Sequence, residues 1–238
     1  MVLDQLKSGA SRHLNSYDGD TKRLAFLLCL PMVDGVFPML LVTGAVDTFS
    51  SMVAVALTVF TGAGALAVLY SSTETREEAV EMVKQVSPLV FTGAVLVSLV
   101  APVFETVFYV ERLSYAAGIV LMVIAAKMAS VPYSGKFSTP GIIVTGMVLS
   151  VNDLGAVALS LQYVVPAIAT VTVALLGLYG AAMVNSSSMN LNYIRKGGAV
   201  VLLIIALSLF GLNIPSTAGL AVLALSLVAS FRDPLNYL

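Results

Sequence analysis

The chain has little charge. Of its 238 residues only 11% are Asp, Glu, Lys or Arg, where ordinary soluble domains carry about 25%. Hydrophobic residues make up 58%, more apolar surface than a soluble fold of this length can bury. The soluble globular class is excluded, and with it most soluble enzymes. A net charge of -1 gives no basic footprint for DNA or RNA, so no nucleic-acid partner is expected. A single cysteine, Cys29, excludes an intramolecular disulfide. A single histidine, His13, belongs to no Cys/carboxylate cluster with metal-ligand spacing, so neither a metal nor a cofactor is expected. Tryptophan is absent. Any aromatic belt at a membrane interface therefore falls to Tyr and Phe. Phe49, Tyr70, Phe108, Tyr109, Tyr133, Tyr163, Tyr193 and Phe231 all stand near the ends of apolar runs.

Those runs are what the chain has in abundance. A bilayer core of about 30 Å takes a helix of about 20 apolar residues. The runs lie at 24–46, 49–71, 85–107, 113–132, 139–162, 164–184, 197–212 and 217–231. They are continuous rather than alternating, which excludes a transmembrane β-barrel. The expectation is an all-α, polytopic integral membrane protein with about eight transmembrane helices. The last two runs are short, so seven spans is the alternative. With eight, all of the 12 Lys and Arg except Arg112 fall on one side or, like Lys127, within reach of it. By the positive-inside rule that side is the cytoplasm, with both termini in it and the plasma membrane as the location. No signal peptide is visible before the first run. In the lead Leu3, Leu6, Ala10 and Leu14 recur at helical spacing, as in a helix lying on the membrane surface.

Two halves resemble each other in order. Val55-Ala56-Leu57 with Gly62-Ala63 matches Val173-Ala174-Leu175 with Gly180-Ala181 at the same spacing. Ala117-Gly118 and Ala129-Ser130 match Ala218-Gly219 and Ala229-Ser230. The chain divides into a cytoplasmic lead at 1–23, a four-helix half at 24–133 and a second four-helix half at 134–238. An even number of spans per half makes this a parallel repeat. Between the second and third runs, Thr75 and Glu78 have the spacing of a capping box.

Chemistry centres on two acids. A carboxylate at mid-membrane costs about 2.5–3.5 kcal/mol on insertion scales, so it marks a functional site. Asp34 lies in Leu30-Pro31-Met32-Val33-Asp34-Gly35-Val36-Phe37-Pro38, roughly 16 Å of helix past Arg23. Pro31 and Pro38 remove backbone donors and Gly35 adds freedom, the signature of a kinked or unwound span. Unwound backbone at that depth is tolerated only in protein or beside a cavity. Asp153, beside Ser150 and Asn152, occupies the matching place in the second half. Paired carboxylates near a pseudo-twofold axis hold a cation or exchange it for protons. Against this stands the structural reading, in which Asp34 or Asp153 pairs with Lys127 and fixes helix packing.

Enzyme readings find little. The Gly-x-Gly-Asp motif of intramembrane aspartyl proteases is absent. Asn152-Asp153 lacks the further acid of intramembrane prenyltransferases, since Ala156 stands there. No His-Glu-x-x-His helix or Ser/His pairing is present. Gly62 with Gly64, Gly177 with Gly180, and Gly197 with Gly198 read as packing surfaces. Thr58, Thr61, Thr92, Thr145, Thr170 and Thr172 are expected to bond their own helix backbones.

The segment Leu30 to Pro38, continuing from Leu40 to Ala45, resembles the opening of an uncharacterised archaeal membrane family common in haloarchaea, a domain of unknown function. The likeness extends through Ala125-Ala126-Lys127-Met128-Ala129-Ser130 and the Asp153 region. It implies that Pro31, Asp34, Gly35 and Pro38 are family features. It implies no substrate.

The expectation is a secondary transporter or exporter of an ion or small solute. Asp34, Asp153, Asn152, Gly35, Pro31 and Pro38 form its site. The alternative is a membrane scaffold, or a subunit meeting a second copy or a partner chain.

Overall fold

The computed structural model describes residues 19–152, 161–184 and 189–232. Among them the chain is helical, with a lone antiparallel bridge between Phe108 and Val151. Helix α1 (Gly19–Val33) leads to α2 (Val36–Val42) across a 44° bend. Helix α3 (Phe49–Val55) runs into a π-helical turn, Ala56–Phe60, and a 50° bend separates this from α4 (Ala63–Ser72). Next come α5 (Arg76–Val107), α6 (Val110–Met128), α7 (Thr139–Ser150), α8 (Val164–Ala182), α9 (Leu191–Leu209) and α10 (Ser216–Arg232).

Local signals set most boundaries. Thr75 Oγ1 accepts from Glu78 N–H at 3.2 Å, and the Glu78 carboxylate accepts from Thr75 N–H at 3.4 Å. This is the expected capping box, and it launches the 32 residues of α5. A second box, Thr48 with Ser51, starts α3. Ser138 caps α7, whose Pro140 lies in the first turn, where a missing N–H is harmless.

Helices α5, α8 and α9 are long and apolar enough to cross a membrane, and each bent pair adds one more, for up to 5 in all. This falls short of the expected eight. Helix α6 has 19 residues, but Glu111, Arg112 and Lys127 all lie within it. Helix α7 has only 12 residues and α10 has 17. The run expected at 139–162 is not one helix, because its backbone is drawn off at residue 151. There Asn152 N–H donates to Val107 O at 2.7 Å, and Tyr109 N–H donates to Ser150 O at 2.7 Å. These bonds tie the end of α7 to the α5–α6 junction.

Elements distant in the chain pack together. Helix α5 packs on α8 and α2, α6 on α9 and α7, and α3 on α10. At the buried centre, the Phe37 ring of α2 meets the Phe60 ring of the π turn edge-on, centroids 5.0 Å apart. Small residues let backbones approach. Gly177 of α8 leaves room for Leu57, and Gly197 and Gly198 of α9 receive Ser226 and Met128, as a packing surface requires. On the α5–α8 side, Tyr163 O–H and the Gln162 amide both donate to the Glu105 carboxylate, at 2.9 and 3.0 Å. Burial, then this bond to Glu105, pushes the Tyr163 pKa up to about 12.

The α6–α7 contact is closest at Gly146, where an added Cβ would collide with Ala116. Gly146→Ala is expected to cost about 1–3 kcal/mol, as overpacking does. Restoring the space with Ala116→Gly recovers most of it in a thermal melt of the double variant.

Candidate functional site

Both helix breaks open onto one cavity of about 460 Å³. Pro31, Asp34 and Val36 line it from the first break, and Thr58 to Phe60 and Gly62 to Ala65 from the second. Helices α6, α7 and α9 close it with Met128, the Thr139–Pro140 helix start and Arg195.

The first break falls between the two prolines, at Asp34 and Gly35. Gly35 sits at φ 90°, the left-handed region that favours glycine. A Cβ there would also press on Met147 of α7, 2.9 Å away. Asp34 is partly buried, and its Oδ1 accepts from Val36 N–H at 3.0 Å. The carboxylate thus caps α2 while lining the cavity. Pro31 lines it too. Pro38 does not: it is buried in the first turn of α2, where its absent N–H needs no partner.

The second break was not expected as one. Its π turn ends at Phe60, and Thr61 N–H reaches back to Ala56 O at 3.0 Å. Thr58 bonds Ala54 O at 2.6 Å within its own helix, as do Thr92, Thr145, Thr170 and Thr172 at the same four-residue spacing. Thr61 is the exception, donating to Ala174 O of α8 at 2.8 Å. Gly62 is not a packing surface. A Cβ on it would lie 2.5 Å from Thr58 O, its own backbone, and Gly64 has nothing within 4 Å. Gly62 is the N-cap of α4 and brings no side chain to accept from its first turn. The stretch Thr58-Val59-Phe60-Thr61-Gly62-Ala63-Gly64 was the available signal: small and hydroxyl residues inside an apolar run.

Arg195 is the residue that sequence reasoning placed only as a cytoplasmic charge. It is partly buried, and its Nη2 donates to Asn192 Oδ1 at 2.9 Å. Its Nε is buried and has no acceptor. Lys127 does not pair with Asp34, and its Nζ donates instead to Thr139 Oγ1 at 2.8 Å. Among the described residues the one ion pair is Arg23 with Asp20. Asn152 does not join the site, because its backbone bond to Val107 holds it at the α5–α6 junction. Asp153 lies outside the described residues. Among those described, no group of three His, Cys, Asp or Glu could hold a metal.

Fold and cavity define an all-helical protein with membrane-length apolar helices and a polar-edged cavity where two of them break. The chain belongs to a family of unknown function (DUF5794), whose model matches residues 90–210, just over half of its length. Lys127, Asn152, Asp153 and Arg195 fall inside the matched stretch, and Asp34 and both helix breaks fall before it. No curated protein and no solved structure matches the chain.

The two glycines of the second break separate its causes. Gly62→Ala is expected to lower stability by about 1–3 kcal/mol, because only backbone can yield to the new Cβ. Gly64→Ala, with open space, is expected to be neutral or to gain up to about 1 kcal/mol of helix propensity. Paired denaturation curves of the two variants check both.

Proposed function

We propose that the protein is a secondary transporter or exporter of an ion or small solute in the plasma membrane. Its proposed form is a multipass chain of about eight spans in two four-helix halves, with both termini in the cytoplasm. One observation carries this reading: two helices break beside the same cavity, and one break holds a carboxylate. Broken helices facing a cavity are how transporters present polar groups to cargo within a membrane.

Depth supports it. Asp34 is about 16 Å of helix past Arg23, near the middle of a bilayer. From there the cavity leads to Thr139, beside Lys127, and to Arg195. In the proposed orientation this is the cytoplasmic side, so the arrangement is open inward. Asp34 then has two competing tasks. As a carboxylate it holds the Val36 N–H. When it takes a proton or a cation, that hold weakens and the first break is freer to move. Binding and conformational change meet in one side chain. Asp153 and Asn152 keep their place in the proposal as the second-half counterpart, outside this cavity in the case of Asn152.

The competing reading is a scaffold or a subunit of a larger membrane complex. The bond from Val36 favours it, because it gives Asp34 a purely structural task. Asp34→Asn separates the two. The amide keeps an oxygen to cap α2, since Asn caps as well as Asp, but it loses the charge. In proteoliposomes carrying an internal pH-sensitive dye, a panel of sodium, potassium and small-solute gradients is expected to drive flux through the wild type. Asp34→Asn is expected to reduce that flux at least tenfold with an unchanged melting curve. No gradient-driven flux favours the scaffold, and equal flux in the variant removes Asp34 from the transport site.

Topology has its own test. In a Cys29→Ser background, Glu74→Cys and Gly135→Cys are expected to resist a membrane-impermeant thiol reagent on intact cells. Asp47→Cys is expected to react. Labelling of Glu74→Cys from outside overturns the orientation.

A further inference from the structure

The charges lining the cavity are of opposite sign and do not neutralise each other. Asp34 and Arg195 both line it, and no ion pair joins them. The positive group has company. Gly198 of α9 backs onto Thr58, 3.7 Å from its Cβ position, and Tyr70 near the end of α4 reaches Met189, just before α9 begins, at 3.8 Å. Helices α4 and α9 therefore run in opposite directions. Arg195, one turn before Gly198, lines the same cavity as Gly62, Ala63 and Gly64, where α4 starts.

A helix start carries partial positive charge and free N–H groups. Gly62, the N-cap of α4, brings no side chain to that first turn, and among the described residues no ion pair holds the Arg195 guanidinium. The Arg195 Nε adds a buried N–H without an acceptor. Lys127 stands behind Thr139 and adds to the same sign. One end of the cavity thus lacks an anion. The other end is Asp34, which lacks a cation. Between them the walls are apolar: Leu27, Leu30, Ile124 and Met128.

We infer that the cargo is a small dipolar solute, a carboxylate and an ammonium carried on one apolar body. Its carboxylate lies at Arg195 and the α4 start, and its ammonium at Asp34. This rests on the transporter reading and narrows it to a substrate class. A solute of one sign satisfies one end and leaves the other charge desolvated without a partner. A dipolar solute answers both and carries no net charge across. About 460 Å³ accommodates a molecule of amino-acid size.

The test is thermal unfolding of the purified full chain with four probes: leucine, 6-aminohexanoate, hexanoate and hexylamine. A ligand of the folded state raises the melting temperature by mass action. At least one of the two zwitterions is expected to act at concentrations tenfold or more below both single-charge probes. Asp34→Asn and Arg195→Gln are each expected to abolish that response. Arg195→Lys, which keeps the charge but loses the planar fork, is expected to retain part of it. Should Arg195→Gln fail to fold, the wild-type ranking of the four probes decides alone. Hexanoate or hexylamine matching the zwitterions, or no response to either zwitterion, overturns the inference. In those cases an Asp34-dependent flux of sodium or protons in the proteoliposomes leaves the transporter reading standing. Loss of both results removes both.

Discussion

A broken helix inside an apolar protein needs partners for the backbone groups that the break sets free, and this need shapes the centre of the molecule. In hydrocarbon, which supplies none, each unmet group costs several kcal/mol. The two breaks solve the problem differently. At the first, the side chain next to the break serves, with Asp34 accepting from Val36 N–H. At the second, the chain widens into a π turn that takes up Thr61 N–H, and the Thr61 hydroxyl goes to a neighbouring helix at Ala174. The first solution leaves a charge at the break. The second leaves an unanswered helix start. Asp34 of the first break and Gly62 of the second line one cavity, so a structural necessity and the candidate site coincide.

Packing keeps the breaks together. Phe37 lies just after the first and Phe60 just before the second, and their edge-on contact joins the two bent pairs at a fully buried point. Gly177 admits Leu57 beside the π turn, while Met147 and Ile143 of α7 press on Gly35. Interiors are packed too densely to deform smoothly. The ring pair thus joins the two breaks, and under the transporter proposal it is the contact through which a shift at one reaches the other.

Much of the helical order was legible in the chain. The Thr75–Glu78 box starts α5 where its spacing indicates, and the Pro31–Pro38 segment breaks where Gly35 permits a positive φ. Other features were legible only in part. Gly62 and Gly64 read as packing residues, because a glycine beside a small residue looks alike whether it meets another helix or its own backbone. The run at 139–162 read as one span, because apolarity says nothing of the Val107 carbonyl and the Tyr109 N–H that draw its backbone aside. Lys127 read as reaching the cytoplasmic side, with Asp34 or Asp153 as the alternative partner. Its Nζ meets Thr139, where α7 begins.

The sequence by itself determined the membrane-suited apolar helices, their main starts, and a charged, breakable point at Asp34. These follow from composition and from interactions within a turn or two of helix, which neighbouring residues settle among themselves. Only the tertiary structure decided that a second helix breaks beside the first, that Arg195 lines the same cavity as that second break, and that Asn152 lies elsewhere. Those outcomes depend on which helices pack together across more than a hundred residues, as Thr61 does with Ala174. No local pattern carries that information, because the partner that completes each group is far away in the chain.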